Sequence, residues 1–332
     1  MTAHRNDVHD PLASPRSATP AATTTAARPG YVDVRCPLCG ADDYAVRFDD
    51  RLRGAAVDPQ VHYTSTSSAY GQHGRIVRCR SCSLVYMNPR PHHQSVQDNY
   101  AAVADVRYLE EEQGRVETFS ESLDQIRRFM PSGRLLDVGC HVGTFLSVAE
   151  AAGFDVSGVE PSRWAADIAR TRIAGSVHTG AIEDAPMPDG GYDVITLWDV
   201  IEHLPDPALD VRAIHGALRP GGIFAVSTMD VDSLFARALG RRWPWYMQMH
   251  LVYFSRRTLC EMLRREGFEI ADVELHTRRV RLSYLVSRLD AYAPPVARLL
   301  GAGLRRSGLG TRTVGVRLGD IFTVIARKPL AR

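Results

Sequence analysis

Residues 134–146 read Arg134-Leu-Leu-Asp137-Val-Gly139-Cys140-His-Val-Gly143-Thr144-Phe-Leu146. An apolar run ends in Asp137, two glycines bracket a short loop, and a helical pattern begins at Thr144. The order is strand, glycine turn, helix start. Glycine at 139 permits backbone angles that other residues resist, and it lets a ligand come close to the main chain. The helix start beyond it offers unpaired N–H groups. A ligand is therefore expected at the carboxyl end of this strand, at the switch point of an open α/β sheet. The spacing Gly-x-x-x-Gly differs from the dinucleotide fingerprint Gly-x-Gly-x-x-Gly.

The next stretch, Phe154-Asp-Val-Ser-Gly-Val-Glu160, reads as a second strand ending in an acid. Glu160 lies 23 positions after Asp137. At about that distance an open α/β sheet places a carboxylate that accepts both ribose hydroxyls and repels a 2′-phosphate. Read alone, Glu160 is equally a solvated acid before a helix opening at Pro161-Ser162.

Outward from this core the alternation is regular. A third strand is expected at Val177-His-Thr-Gly180, a fourth at 192–198, a fifth at 222–227 after the turn Arg219-Pro-Gly-Gly, a sixth at 269–275 and a seventh at 320–327. A helix over 255–266 ends at Gly267, a fitting C-terminal cap. Strand–helix alternation implies a mainly parallel sheet covered on both faces.

Three motifs now stand together: Asp137-Val-Gly-Cys-x-x-Gly143, Val159-Glu-Pro-Ser162 and Trp198-Asp-Val-Ile-Glu-His203-Leu-Pro-Asp206. They resemble the class I S-adenosylmethionine-dependent methyltransferases, and most closely the branch of ubiquinone-pathway O-methyltransferases and deoxysugar C-methyltransferases. The resemblance covers roughly residues 31 to 330. It implies an α/β, Rossmann-like seven-stranded methyltransferase sheet whose last strand is antiparallel. It implies S-adenosylmethionine as cofactor, held by Asp137, Gly139, Cys140, Gly143 and Glu160, with Asp199 at the strand end that faces the reacting methyl. At Cys140 the backbone rather than the thiol is expected to face the cofactor. Many relatives carry an acid in the loop after the third strand that accepts the adenine amino group. Here Ala181 stands at that position, so adenine recognition is expected from the Ile182 backbone and Glu183, with Asp184 a solvated acid.

Cys36-Pro-Leu-Cys39 and Cys79-Arg-Ser-Cys82 are two Cys-x-x-Cys knuckles separated by 39 residues. Four thiolates in two such pairs suit a tetrahedral zinc ion, and with four sulfurs no position stays open for water, so the role is structural. Two disulfides are the other reading, and an intracellular setting argues against them. The resemblance agrees, since the deoxysugar C-methyltransferases carry a similar N-terminal zinc module. The expected division is a disordered tail over 1–30, a zinc-ribbon-like module over 31–92, a helical connector over 93–131 that packs over the cofactor mouth with Tyr100 and Tyr108 or is equally a surface linker, and a catalytic domain over 132–330. Cys260, among Leu259, Met262 and Leu263, is expected in the core.

His203 lies one turn beyond Asp199, and a neutral imidazole is a natural general base for a hydroxyl or an acidic carbon. It equally reads as a residue that only shapes the pocket. A second candidate is His250 in Trp243-Pro-Trp-Tyr-Met-Gln-Met-His250-Leu-Val-Tyr-Phe-Ser255. Aromatics and methionines there make a flexible apolar wall, or a loop packed on the zinc module. The deoxysugar enzymes have a similar segment with Tyr-x-Glu-His before Tyr-Phe-Ser. Met247 and Met249 replace that tyrosine and glutamate, which points to a more apolar acceptor or to O-methyl transfer. The sequence names only a small-molecule acceptor: a sugar, a quinone-like compound, a polyketide or a lipid-linked intermediate.

The net charge of +2 hides an asymmetry. From His276 onward there are twelve basic and two acidic residues, leaving 28 basic and 36 acidic before it. Much of the excess sits in an insertion over 277–318. Within it, residues 281–306 read as two short amphipathic basic helices broken at Pro294-Pro295. They read as a cap packed on the sheet or on a second subunit in a homodimer, or as a surface for weak peripheral membrane contact. A nucleic-acid-binding or nucleic-acid-modifying protein is the competing class, since zinc ribbons and basic tails grip phosphate. The cysteine module is not strongly basic, no Asn-Pro-Pro-Tyr-like base-flipping tetrad follows the fourth strand, and no nucleic acid is expected. No apolar run reaches the ~18 residues of a bilayer span, no hydrophobic signal core opens the chain, and a cytoplasmic protein is expected.

Overall fold

The computed structural model describes residues 30–289 and 293–330. The expected tail lies outside the described residues except for Gly30. The centre is one seven-stranded sheet. Its strands are β1 Arg134–Val138, β2 Asp155–Glu160, β3 Ser176–Thr179, β4 Tyr192–Trp198, β5 Leu218–Met229, β6 Glu269–Leu275 and β7 Ile321–Arg327. Their order across the sheet is β3-β2-β1-β4-β5-β7-β6. Strands β1 to β5 run parallel, with Asp137 opposite Gly158 on one side and Thr196 on the other. Strand β7 enters antiparallel between β5 and β6. The chain reverses its winding between β1 and β4, so the carboxyl ends of β1, β2 and β4 open onto one crevice.

Both faces of the inner strands are covered, which is why they read as continuous apolar runs. Leu135, Leu136, Val194, Ile195 and Leu197 have no exposed surface. Each such side chain contributes about 1.5–3 kcal/mol of burial. The fifth strand starts earlier than the sequence suggests. Leu218 already pairs with Tyr192, and the Pro-Gly-Gly stretch is an irregularity inside the strand, with the register shifting before Ile223. Helix Arg256–Arg265 follows the expected pattern. Ser255 accepts from Thr258 N–H while Thr258 Oγ1 accepts from Ser255 N–H, and Gly267 ends the helix at φ +91°.

The cysteine segment forms a four-stranded antiparallel sheet from residues 44–48, 76–79, 85–87 and 252–253. The last strand comes from the aromatic loop after β5, with Val252 opposite Tyr86. The loop is therefore part of the N-terminal module. Helix Arg256–Arg265 holds both knuckles: Arg257 donates to the Cys82 carbonyl at 2.7 Å and Arg265 to the Leu38 carbonyl at 2.9 Å. The connector consists of helices His93–Ala101, Val106–Glu110 and Glu112–Arg127. Between β6 and β7, strand Arg278–Arg281 pairs antiparallel with Thr313–Val316, and helices Leu282–Leu289 and Pro294–Ser307 lie between them. Among the described residues no helix is long and apolar enough to cross a membrane.

Candidate active site

Strand β1 delivers Asp137 to the crevice, and the chain then turns through Gly139 at φ +75°. A Cβ there would sit 2.6 Å from the Val200 Cγ2 atom, so position 139 must stay small on both counts. The N–H groups of Gly139 and Cys140 both donate to the Val159 carbonyl, at 2.8 and 3.1 Å. The Cys140 N–H is therefore spent on tying β1 to β2, while the residue itself lines the cavity and its thiol packs against Gly158. Its thiol is buried. Gly143, expected to help hold the cofactor, does not line the cavity. It lies behind the cavity wall as the N-cap of helix Thr144–Ala151, where a Cβ would meet Ala169 at 3.0 Å.

Glu160 ends β2 and is buried. Its Oε2 accepts from His141 N–H and its Oε1 from Ser162 N–H, both at 2.8 Å. Each oxygen keeps a further lone pair. Burial holds this carboxyl up at about 7, against the two N–H bonds that pull it down. Asp137 is also buried and accepts from Thr196 Oγ1 at 2.6 Å. Burial pushes it to about 8. Two buried carboxyls, one glycine turn and the start of a helix make a site that gains from a ligand carrying hydroxyl donors and positive charge.

These residues line one cavity of about 770 Å³, within the usual range of about 300–1,000 Å³ for small-molecule sites. At one end stand Gly180, Ala181, Ile182 and Glu183. Asp184 is exposed, as expected of a solvated acid, and it also accepts from Ala181 N–H at 3.1 Å, closing the short 3₁₀ turn 182–184. At the other end stand Tyr63, Tyr70, Trp245, Met247, Met249 and Tyr284. The apolar loop thus does both things the sequence allowed: it pairs with the module and walls the cavity.

His203 and His250 meet beneath that wall, with ring centroids 4.8 Å apart. His203 Nδ1 faces the Met249 carbonyl at 3.0 Å, and His250 Nδ1 faces the Trp245 carbonyl at 2.6 Å. A carbonyl only accepts, so both rings carry the proton on Nδ1 and leave Nε2 as a free base. Burial lowers both below the ordinary histidine range, and His203 lowers His250 further. Glu202 completes the group, for ligating atoms of all three lie within 4.8 Å of one another. Its Oε2 accepts from Thr228 Oγ1 at 2.8 Å, while its Oε1 is buried without a partner. Burial, then Asp199, raises its carboxyl to about 8. Tyr100 packs edge-on against His203 with its hydroxyl buried and unpaired.

Sequence reading missed three residues here. Glu202 reads in the sequence as one more polar position of the Trp198–Asp206 motif, yet its carboxyl is buried beside both histidines. Arg278 pairs with Asp199 and lies over the Trp245 ring. Nothing in Arg278-Arg-Val-Arg distinguished it from surface charge. Arg115 lines the cavity beside Tyr108 and His141, with its guanidinium 3.5 Å from the Tyr108 ring centre and its Nε buried and unpaired. The one signal was a lone cation following three glutamates, seven residues after Tyr108.

The four knuckle cysteines are free and converge. Cys36 and Cys82 sulfurs are 3.4 Å apart, Cys39 and Cys79 sulfurs 3.6 Å, and all four lie within 4.8 Å of one another. Zinc–sulfur bonds of about 2.3 Å in a tetrahedron put the sulfurs about 3.8 Å apart. The cluster is compatible with zinc.

A family model described as a methyltransferase domain matches residues 108–273, half of the 332-residue chain. The chain belongs to that family, as a class I S-adenosylmethionine-dependent methyltransferase. It is similar to a ubiquinone biosynthesis O-methyltransferase of Aromatoleum aromaticum, 36% identical over 154 residues, or 42% of this chain and 65% of the relative. It is similar to one of Xanthomonas campestris, 29% identical over 226 residues, or 59% of this chain and 94% of the relative. Among solved structures, the complex of the Haloferax volcanii Trm112 methyltransferase activator with its methyltransferase partner matches with a TM-score of 0.50 at 15% identity, covering 73% of this chain and 99% of that one. That likeness concerns the fold.

Proposed function

We propose that this chain methylates a hydroxyl of a small, apolar acceptor, with His203 and His250 as the base pair that removes the hydroxyl proton. The observation that carries this reading is the pair of free Nε2 atoms under a wall of methionine and aromatic side chains. S-adenosylmethionine supplies an activated methyl on a sulfonium. The chain must then align the acceptor, exclude water and take a proton. Glu160 fits the ribose, Asp137 and Gly139 the turn beside it, and Ile182 and Glu183 the adenine end. Arg115, unpaired at the opposite side, fits the carboxylate of the methionyl group. Both imidazoles are held neutral by burial and can accept a proton near pH 7. Unpaired Glu202 Oε1 lies within reach to stabilise the imidazolium that forms. Asp199, through Arg278 and Trp245, fixes the acceptor side of the cavity.

The named activity of the similar O-methyltransferases supports transfer to oxygen, and so does the replacement of Tyr-x-Glu-His by Met247-Gln-Met-His250. The cysteine module over 31–92 is read as a structural zinc unit, the 93–131 connector as a lid, and 132–330 as the catalytic domain. Six free cysteines support a reducing, cytoplasmic setting. The test is transfer of labelled methyl from S-adenosylmethionine to a panel of apolar phenols and catechols, with nucleotide-linked deoxysugars in parallel. Labelled phenol products support the reading, and label entering only carbon of the deoxysugars refutes it.

A further inference from the structure

On its inner side, helix Pro294–Ser307 closes a second cavity, of about 1010 Å³. Arg298 and Arg305 both line it. They stand seven residues apart, two turns of helix, so they project to the same side. Gly301 lies between them and lines the cavity too, where a Cβ would meet Arg305 Nη1 at 3.4 Å. Arg107 lines it from helix Val106–Glu110, Arg281 from strand Arg278–Arg281 and Arg288 from helix Leu282–Leu289.

Two carboxylates share this space, those of Glu110 and Glu111. Arg281 is paired with Glu111, and Arg288 donates to the carbonyls of Ser67 and Thr66, both at 3.0 Å. Arg288 Nε is buried without a partner. Arg107, Arg298, Arg305 and Glu110 have no ion pair among the described residues. Five guanidiniums against two carboxylates leave three positive charges uncompensated. Like charges gathered around one space repel, and a multivalent anion between them offsets that repulsion. A phosphate group suits the space, since it carries about two negative charges and guanidinium forks meet its oxygens in pairs.

Four residues, Tyr70, Glu111, Tyr284 and Arg288, line both this cavity and the methyl-transfer cavity. The two spaces thus meet across one layer of side chains. The Arg288 guanidinium lies 4.2 Å from the Tyr284 ring centre and 5.9 Å from that of Tyr70. Tyr70 and Tyr284 belong to the aromatic end of the methyl-transfer cavity, the end that also carries Met247 and Met249. The arginine cavity therefore adjoins the acceptor side and not the end that holds Ile182 and Glu183.

We propose that the arginine cavity binds a phosphate group carried at the far end of the methyl acceptor. Arg298 and Arg305 grip its oxygens from one wall and Arg107 from another. The body of the acceptor passes Tyr70 and Tyr284 and brings its hydroxyl to His203 and His250. The acceptor class is then a phosphate ester whose reacting end is apolar. The phosphate site stands on the cavity alone; giving the phosphate to the acceptor rests on the proposed function.

The experiment is calorimetric titration of the full chain at physiological salt in the presence of S-adenosylhomocysteine. The first probe is pyrophosphate. The second is a set of catechols with alkyl chains of graded length ending in phosphate, each matched by the same compound ending in hydroxyl. Pyrophosphate should bind, and the best phosphate-ended catechol should bind about tenfold or more tightly than its match. Arg298→Gln and Arg305→Gln should each weaken both phosphate probes about tenfold and leave the hydroxyl-ended catechol as before. Neither residue lines the methyl-transfer cavity, so unchanged S-adenosylhomocysteine affinity shows that each variant is folded. Absence of pyrophosphate binding overturns the proposal. So does malonate binding as tightly as pyrophosphate, or pyrophosphate binding that both variants keep. If pyrophosphate binds but no phosphate-ended catechol gains over its match, the cavity holds a free phosphate ligand and the assignment to the acceptor is overturned. All these readouts are of binding. If the phosphate gain is found and no catechol is methylated, the phosphate site stands and it is the methyl-transfer reading that falls.

Discussion

Replacing Glu160 by glutamine separates two consequences of one side chain. Glutamine keeps the volume and one acceptor oxygen. Both Glu160 oxygens already accept from backbone N–H groups, those of His141 and Ser162. The new amide nitrogen must therefore point at one of them, donor against donor. A buried donor left unpaired costs about 1–3 kcal/mol, and that loss falls on stability. One charge-assisted bond to a ribose hydroxyl is also lost, worth about 1.5–3 kcal/mol and present only when ligand is bound. S-adenosylhomocysteine affinity should then fall about 10- to 100-fold. The pH dependence adds a sign. The free carboxyl is held up at about 7, and a carboxylate accepting hydroxyls must be ionised. Affinity is thus full above pH 7 and declines as pH falls through it, because binding has to expel a proton. Glutamine cannot titrate, so the variant should lose this slope as well as affinity. Calorimetric titration at several pH values, with thermal unfolding in parallel, reads all of these. Unchanged affinity, or a pH slope that persists in Glu160→Gln, refutes the reasoning.

Arg115→Ala should weaken S-adenosylhomocysteine but leave 5′-methylthioadenosine, which lacks the amino-acid group, bound as before; equal losses for both place the arginine elsewhere. His203→Ala or His250→Ala, whichever removes the base, should lower turnover about 10²–10⁴-fold without loss of cofactor affinity, and near-normal turnover in both variants dismisses the pair. Because burial lowers both imidazoles, the acid limb of the turnover profile should lie below the ordinary histidine value of about 6.5. The purified protein should hold one zinc per chain, and chelation should loosen residues 31–92 before the central sheet; elemental analysis with well under one equivalent and reduced cysteines counts against it.

The central sheet was legible because each strand is a short apolar run bounded by glycine or acid, a pattern set locally. Glu160 and the four cysteines were legible for a similar reason, since spacing alone defines them. Gly143 was misplaced because its N–H closes the loop on the Cys140 carbonyl and its Cα packs on Ala169, a contact with the next helix that no local pattern carries. The pairing of Val252 with Tyr86 joins segments over 160 residues apart through two residues, too few to carry a period. Arg278 with Asp199 is likewise a contact across 79 positions, made by the fold rather than by any motif. The ribbon of 278–281 with 313–316 was hidden because its strands carry arginine and glycine rather than an alternating apolar pattern.

The most direct measurement is a crystal structure of the protein grown with S-adenosylhomocysteine. The account predicts the ligand at the carboxyl edge of β1, β2 and β4, with both ribose hydroxyls on Glu160, the adenine against Ile182 and Glu183, the carboxylate at Arg115, and the sulfur facing the chamber of His203 and His250. Ligand density anywhere else, or a ribose held by groups other than Glu160, contradicts it.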